Sequence, residues 1–123
     1  MDFELRSSSR CPVFLLGDLN SPEDDPAYQT IAGRMHDLRR TCTSIFGHYH
    51  TFTGFDGREK DLSRIDHIFG SWGRGWKGGI YAVEENRFDD GIWLSDHRVV
   101  LADVVIGKHL KPGKERTDEE EDS

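Results

Sequence analysis

The stretch Pro12-Val13-Phe14-Leu15-Leu16-Gly17-Asp18-Leu19-Asn20 sets the terms for the rest of the chain. Val13 to Leu16 run apolar without alternation, between Pro12 and Gly17. Such a run, short and bounded by breakers, reads as a strand buried on both faces. A carboxylate and an amide follow at once. Polar groups just beyond the ends of buried strands are where α/β sheets build their sites.

Downstream, Asp25 is placed to cap a helix and Pro26 suits its first position. The helix is expected to run through Ala27-Tyr-Gln-Thr-Ile-Ala32 and stop at Gly33. Met35 to Leu38 is a short element, either a helix start or a strand. Residues 39–63 are polar and turn-rich, with a short extended piece at Thr51 to Phe55 and a turn at Asp56-Gly57. Ser63-Arg-Ile-Asp-His-Ile-Phe69 alternates in period two, with Ile65, His67 and Phe69 on one face, and reads as a strand. Residues 70–79 (GSWGRGWKGG) hold five glycines and are expected to form no regular element. Ile80 to Val83 is a further strand, residues 84–97 a polar acidic loop, and Arg98 to Ile106 the clearest strand of all. The chain is thus expected to be α/β, mostly strands with one or two helices, in a sheet covered on both faces.

At 123 residues the chain holds one domain at most. No run approaches the length of a membrane-crossing helix. The first ten residues, MDFELRSSSR, carry no apolar core of a secretory signal, so none is expected, and compartment is not read. Lys and Arg number 16 against 23 Asp and Glu, a net charge of −7. Six of those acids and one of those bases lie in residues 115–123, so the remainder carries 17 acids against 15 bases. The body is near neutral and lacks the basic footprint of a dedicated nucleic-acid binder. Residues 108–123 show no apolar periodicity and are expected to be a disordered acidic tail, solvated rather than partner-binding. Cys11 and Cys42 fit no metal-binding spacing and read as two reduced thiols, with one disulfide the alternative if the parent protein is secreted.

Three segments place polar groups at strand ends: Gly17-Asp-Leu-Asn20, Arg64-Ile-Asp66-His67 and Ser95-Asp-His97. Together they suit hydrolysis at phosphorus. A hard divalent ion takes carboxylate oxygens and polarises a phosphoryl oxygen. A carboxylate can orient or deprotonate an attacking water. A histidine beside an acid stays cationic and donates to phosphate, as does a side-chain amide. Two other groupings weigh less. His36, His48 and His50 offer a zinc cluster only through an HxH spacing, and read as solvated loop histidines. Trp72 to Gly79 interleaves aromatics and cations, as a base-stacking, phosphodiester-gripping or membrane-interface segment does, but reads as an inter-strand loop with tryptophan packed on the core.

GDLN at 17–20, SRIDHIF at 63–69 and SDHRVV at 95–100 resemble, in order and spacing, the C-terminal signature motifs of the endonuclease/exonuclease/phosphatase (DNase I-like) family of metal-dependent hydrolases. The stretch ENRFDDGIWLSDH at 85–97 resembles the single-domain hydrolases of that family. The resemblance covers residues 12–107, with 1–11 as a non-matching segment, and implies half of a four-layer α-β-β-α sandwich. It implies roles as well. Asp18 orients or activates the attacking water, Asn20 binds phosphate, Asp96 belongs to a Mg²⁺ or Mn²⁺ site, His97 contacts phosphate and Asp66 orients His97. The family's N-terminal half supplies an asparagine, the principal metal-binding glutamate and a further histidine, none of which can be placed here. The expected function is divalent-metal-dependent phosphoester hydrolysis. The alternative is a catalytically inactive half-domain or phosphate-binding fragment. The substrate, whether nucleic acid, phospholipid or inositol phosphate, stays open, as does association through an unpaired sheet face.

Overall fold

The computed structural model describes residues 11–116. The elements run β1 (Phe14–Asp18), α1 (Pro26–Ala32), β2 (Met35–Asp37), α2 (Leu38–Thr41), β3 (Ser44–Gly47), a single 3₁₀ turn (Glu59–Asp61), β4 (Asp66–Ser71), β5 (Trp76–Glu84) and β6 (Val99–Ile106). Two three-stranded sheets result. The first is ordered β1-β4-β2 and is antiparallel throughout. The second is ordered β3-β5-β6, with β3 parallel and β6 antiparallel to β5.

Strand pleating explains the layering. Successive residues of β4 face opposite ways. Phe69 joins Tyr28 and Met35 in a cluster that seats α1 on the first sheet. Ile68 joins Leu38, Cys42, Trp76, Tyr81 and Val83, with Phe14 and Val100 packed against them, and so binds the two sheets together. A helix on a sheet and that sheet on a second one make up an α/β half-sandwich, mostly strands with two helices, as the sequence implies. Of the strand expected over Ser63 to Phe69, β4 takes only Asp66 onward; within it His67 and Phe69 are buried on the Tyr28 side, and Ile65 is half-buried ahead of it.

Four expectations need correction. The run Val13 to Leu16 is not buried on both faces. Among the described residues β1 is an edge strand paired with β4 alone, and Leu15 and Leu16 are exposed. Residues 70–79 are not irregular, because β4 runs to Ser71 and β5 starts at Trp76. The glycines are there for space. A β-carbon on Gly70 would lie 2.5 Å from Trp76 Cζ2, and one on Gly78 would lie 2.8 Å from Cys42 Sγ. Trp76 is fully buried and donates its indole N–H to the Ser71 carbonyl at 2.9 Å, which closes the hairpin. The register shifts between Gly78 and Ile80, as expected where strand glycines permit a bulge.

The start of α1 is the third difference. Pro26 occupies its first turn, but Asp25 makes no capping bond with its side chain. Instead the Ser21 hydroxyl donates to Asp25 Oδ2 at 2.8 Å and accepts from the Tyr28 N–H at 3.0 Å. A residue further back thus satisfies one of the helix's orphan donors. Gly33 ends the helix in an ordinary right-handed conformation. Met35 to Leu38 turns out to be both alternatives, since β2 leads directly into α2.

The fourth concerns residues 108–116, which lie against the body. The Leu110 carbonyl accepts from Gly75 N–H at 2.8 Å, His36 Nδ1 lies 3.0 Å from Glu115 Oε1, and the Arg116 guanidinium reaches the carbonyls of Cys42 and Arg39. Carbonyls at the end of a short helix are natural acceptors for a cation. Residues 117–123, the rest of the expected tail, lie outside the described residues. Cys11 is exposed, Cys42 is buried, and the two are unpaired. Burial pushes the Cys42 thiol up to about 11. Among the described residues no helix is long and apolar enough to cross a membrane.

Candidate active site

Antiparallel pairing of β1 with β4 sets Asp18 directly opposite Asp66, the last residue of one strand against the first of the other. His97 arrives from the segment entering β6, where it bridges to Phe52. Its Nδ1 lies 2.8 Å from Asp66 Oδ2, and its Nε2 lies 3.6 Å from Asp18 Oδ2 and 3.9 Å from Asp96 Oδ1. Asp18, Asp66 and His97 bring one ligand atom each within 4.8 Å of one another. Four of the five residues singled out by sequence therefore converge on a single imidazole.

The fifth, Asn20, is exposed and sits beside them. Its backbone N–H donates to Asp18 Oδ1 at 2.8 Å, and its φ of 50° is left-handed, a region asparagine tolerates. This local bond fixes one Asp18 oxygen and leaves Oδ2 facing His97.

Burial works against a charge on His97, but the Asp66 hydrogen bond and the charges of Asp66, Asp18 and Asp96 outweigh it and hold its pKa above the ordinary value. The imidazolium is thus favoured, with Nδ1–H held by Asp66 and Nε2–H facing the open side of the site. The neighbouring His67 behaves oppositely. It is buried, its Nε2 lies 2.7 Å from the Ser21 carbonyl, and burial together with Arg64 lowers its pKa. It is a neutral structural histidine.

The residues that hold this arrangement escaped the sequence reading. Thr51 is fully buried, and its hydroxyl accepts from the N–H groups of Ile65 and Asp66, at 3.0 and 3.1 Å. Its carbonyl accepts from the Arg98 N–H at 2.7 Å. The Phe52 ring meets His97 edge-on at 5.2 Å. Thr53 donates its N–H to the Asp96 carbonyl at 2.9 Å, and its hydroxyl lies 2.7 Å from the Gly54 carbonyl and 3.2 Å from that of Asp96. Asn86, also buried, donates through Nδ2 to Thr53 Oγ1 at 2.7 Å and to the Ser95 carbonyl at 2.9 Å. Thr51, Phe52 and Thr53 thus clamp the second and third polar segments together. The alternation Thr-Phe-Thr in an extended piece was the available signal, since it sends both hydroxyls to one side.

Beneath the site lies a buried ionic cluster. Arg64 binds the Asp37 carboxylate with both terminal nitrogens, at 2.8 and 2.9 Å, and Glu23 at 2.5 Å. Tyr28 donates its hydroxyl to Asp37, and Glu23 also accepts from Arg40 and Tyr49. These bonds tie the loop after Asn20 to β2 and to the entry of β4, and so carry the two Asp-bearing strand ends as a unit.

The donor set has the chemistry a hard divalent cation asks for. Asp18 and Asp96 are open to solvent, carboxylate oxygens predominate, and no thiolate is near. His36, His48 and His50 form no metal-ligating group among the described residues. His36 and His48 face Glu115 and Glu85 instead.

Solved structures share this fold. A protein titled as an endonuclease/exonuclease/phosphatase, from Bacteroides vulgatus, superposes with a TM-score of 0.68 at 27% identity over 78% of this chain and 37% of its own. A mannosyl-6-phosphatase from Bacteroides thetaiotaomicron gives 0.63 at 27% identity, over 83% of this chain and 40% of its own. A conserved protein of unknown function from Enterococcus faecalis gives 0.66 at 25% identity, over 86% and 41%. The chain therefore spans 37–41% of the length of these structures. No curated protein matches it. The profile of the endonuclease/exonuclease/phosphatase family matches residues 2–97, through all three polar segments and into residues 2–11, which the sequence reading sets apart as non-matching. On that match and this fold, the chain belongs to the endonuclease/exonuclease/phosphatase family.

Proposed function

We propose that this chain carries the phosphate-handling side of a divalent-metal-dependent phosphoesterase. The observation that carries the reading is the meeting of Asp18, Asp66 and Asp96 around one imidazole, that of His97. A mannosyl-6-phosphatase among the similar structures supports phosphate-ester chemistry.

His97 donates from Nε2 to a phosphoryl oxygen, and Asp66 holds its ring in that orientation through Nδ1. Asn20 donates from its side-chain amide to the same phosphoryl group. Asp18 accepts a hydrogen bond from the attacking water and orients it toward phosphorus. Asp96 and Asp18, whose carboxylates lie 3.9 and 3.6 Å from His97 Nε2, would hold Mg²⁺ or Mn²⁺. When bound, such an ion would supply charge neutralisation on the phosphoryl oxygens.

The test is hydrolysis of a chromogenic aryl phosphate in Mg²⁺, comparing the full chain with His97→Ala and Asp18→Ala. Each substitution should cut turnover by at least ~10²-fold with the circular dichroism spectrum unchanged. Wild-type rates in either variant would remove that residue from the mechanism. The span of 37–41% of the matched structures favours a second reading, a half-domain that binds phosphate without turning it over. Phosphate binding that depends on His97, with no hydrolysis, would decide for it.

A further inference from the structure

Large exposed apolar side chains occur in two settings. On β1, β3, β5 and β6 they belong to sheet faces and edges. The others stand on loops: Tyr49 and Trp72 singly, and four more on two loops beside His97. Phe55 is 63% exposed, Phe88 52%, Ile92 58% and Leu94 62%. Both loops are bound into the site. Phe55 follows Thr53 by two residues, and Leu94 precedes Asp96 by two, with Thr53 bonded to the Asp96 carbonyl. Gly57 closes the gap between the loops. A β-carbon there would lie 2.8 Å from Trp93 Cη2, and its φ of 64° is left-handed.

These side chains are held out by a hydrogen-bonded frame. Phe88 N–H donates to the Ile92 carbonyl at 2.8 Å, Gly91 N–H to the Phe88 carbonyl at 2.9 Å and Leu94 N–H to the Asn86 carbonyl at 2.8 Å. A rigid loop that presents several apolar groups beside a polar centre marks a contact surface. Its charges narrow the occupant. Arg58 is paired with Asp56 at 3.0 Å, and Arg87 lies over the Trp93 ring at 5.3 Å. Asp89 and Asp90 at the hairpin tip have no cationic partner among the described residues. A polyanionic chain or an anionic bilayer would be repelled there.

Building on the proposed phosphoesterase reading, we infer that the ester carries a neutral organic group with an apolar ring face, which packs on Phe55 and Leu94 while its phosphate meets His97. The continuity of these loops with the Asp96-His97 backbone argues for the substrate itself as the occupant. The apolar contacts would bind the organic group in ground and transition state alike, and so set specificity.

The experiment compares binding of phenyl phosphate and inorganic phosphate to the full chain in Mg²⁺, followed by amide chemical shifts. Phenyl phosphate should bind about tenfold more tightly, as one well-packed ring supports. It should move the amides of residues 55 and 94, which inorganic phosphate leaves in place. The double substitution Phe55→Ser, Leu94→Ser, at exposed positions, should abolish that advantage and leave inorganic phosphate binding unchanged. Ile106→Ser, exposed at the end of β6 remote from His97, should change neither. Equal affinity for the two ligands, or an advantage that survives the double substitution, overturns the inference and leaves the phosphoesterase reading standing. Binding of neither ligand overturns both.

Discussion

Replacing Asp37 with alanine should cost this fold more than any substitution at the site itself. Asp37 is 1% exposed, and Arg64, which it holds through two bonds of 2.8 and 2.9 Å, is 2% exposed. Without Asp37 the Arg64 guanidinium keeps only Glu23 as an ionic partner, and the Tyr28 hydroxyl loses its acceptor. Breaking a buried pair from one side typically costs about 3–5 kcal/mol, and an orphaned hydroxyl adds about 1. Domains have about 5–15 kcal/mol in total, so the loss takes a large share. In urea, with a slope of about 1–2 kcal/mol per molar, the midpoint should fall by at least ~2 M or the variant should be unfolded outright. The assay is urea unfolding by circular dichroism. Arg64→Met and the double variant complete the cycle. The double should be at least ~2 kcal/mol more stable than the sum of the singles, because no charge is left stranded. A cost below about 1 kcal/mol for Asp37→Ala, or simple additivity, would refute the argument that the pair is buried and mutually dependent.

The same pair sets the acid limit. Burial pushes the Asp37 carboxyl up, but Arg64 outweighs it and holds the pKa below the ordinary 3.8. A carboxyl lowered on folding contributes stability that is present above its unfolded value and is lost as pH falls through its folded value. Wild type should therefore lose stability below about pH 4, and Asp37→Ala should show a shallower slope in that window.

Two further outcomes are expected. The His97 imidazole should titrate by NMR above the ordinary 6.5, since its acidic neighbours outweigh burial. Its contribution to stability is full below that value and is lost as pH rises through the folded pKa. Asp66→Asn should move the midpoint down, and an unchanged midpoint would mean that Asp66 does not hold the ring. Thr51→Val keeps the shape but leaves the N–H groups of Ile65 and Asp66 without their acceptor. It should lower stability by roughly 1–3 kcal/mol and speed hydrogen exchange at both amides, whereas protected amides would show that the hydroxyl is not their partner.

What the sequence disclosed, and what it hid, divides along a physical line. Asp18, Asp66 and His97 were legible because each stands at a strand end beside its own local signal, and because pairing of β1 with β4 needs only the correct register to bring the first two together. The strands themselves were legible where apolar runs were continuous, at Phe14 to Leu16 and Val99 to Ile106. Gly70 and Gly78 were misread because propensity charges glycine with breaking a strand, whereas Trp76 and Cys42 occupy the volume a side chain would need. Arg64 sat unremarked inside a recognised segment, because its partners Asp37 and Glu23 are 27 and 41 residues away.

Local pattern therefore names the candidate groups, and distant contacts determine whether those groups meet. In this chain the distant contacts are themselves polar. Thr51, Thr53 and Asn86 hold the His97 side of the site by hydrogen bonds, and Arg64 holds the Asp18 side by an ion pair with β2. Buried polar bonds are directional, and each loses most of its worth when misaligned. An apolar underlay would have held the loops together without setting their angle. A site that depends on a 2.8 Å contact between Asp66 and His97 needs that angle set, and this is the physical reason so much polar surface is buried in so small a chain.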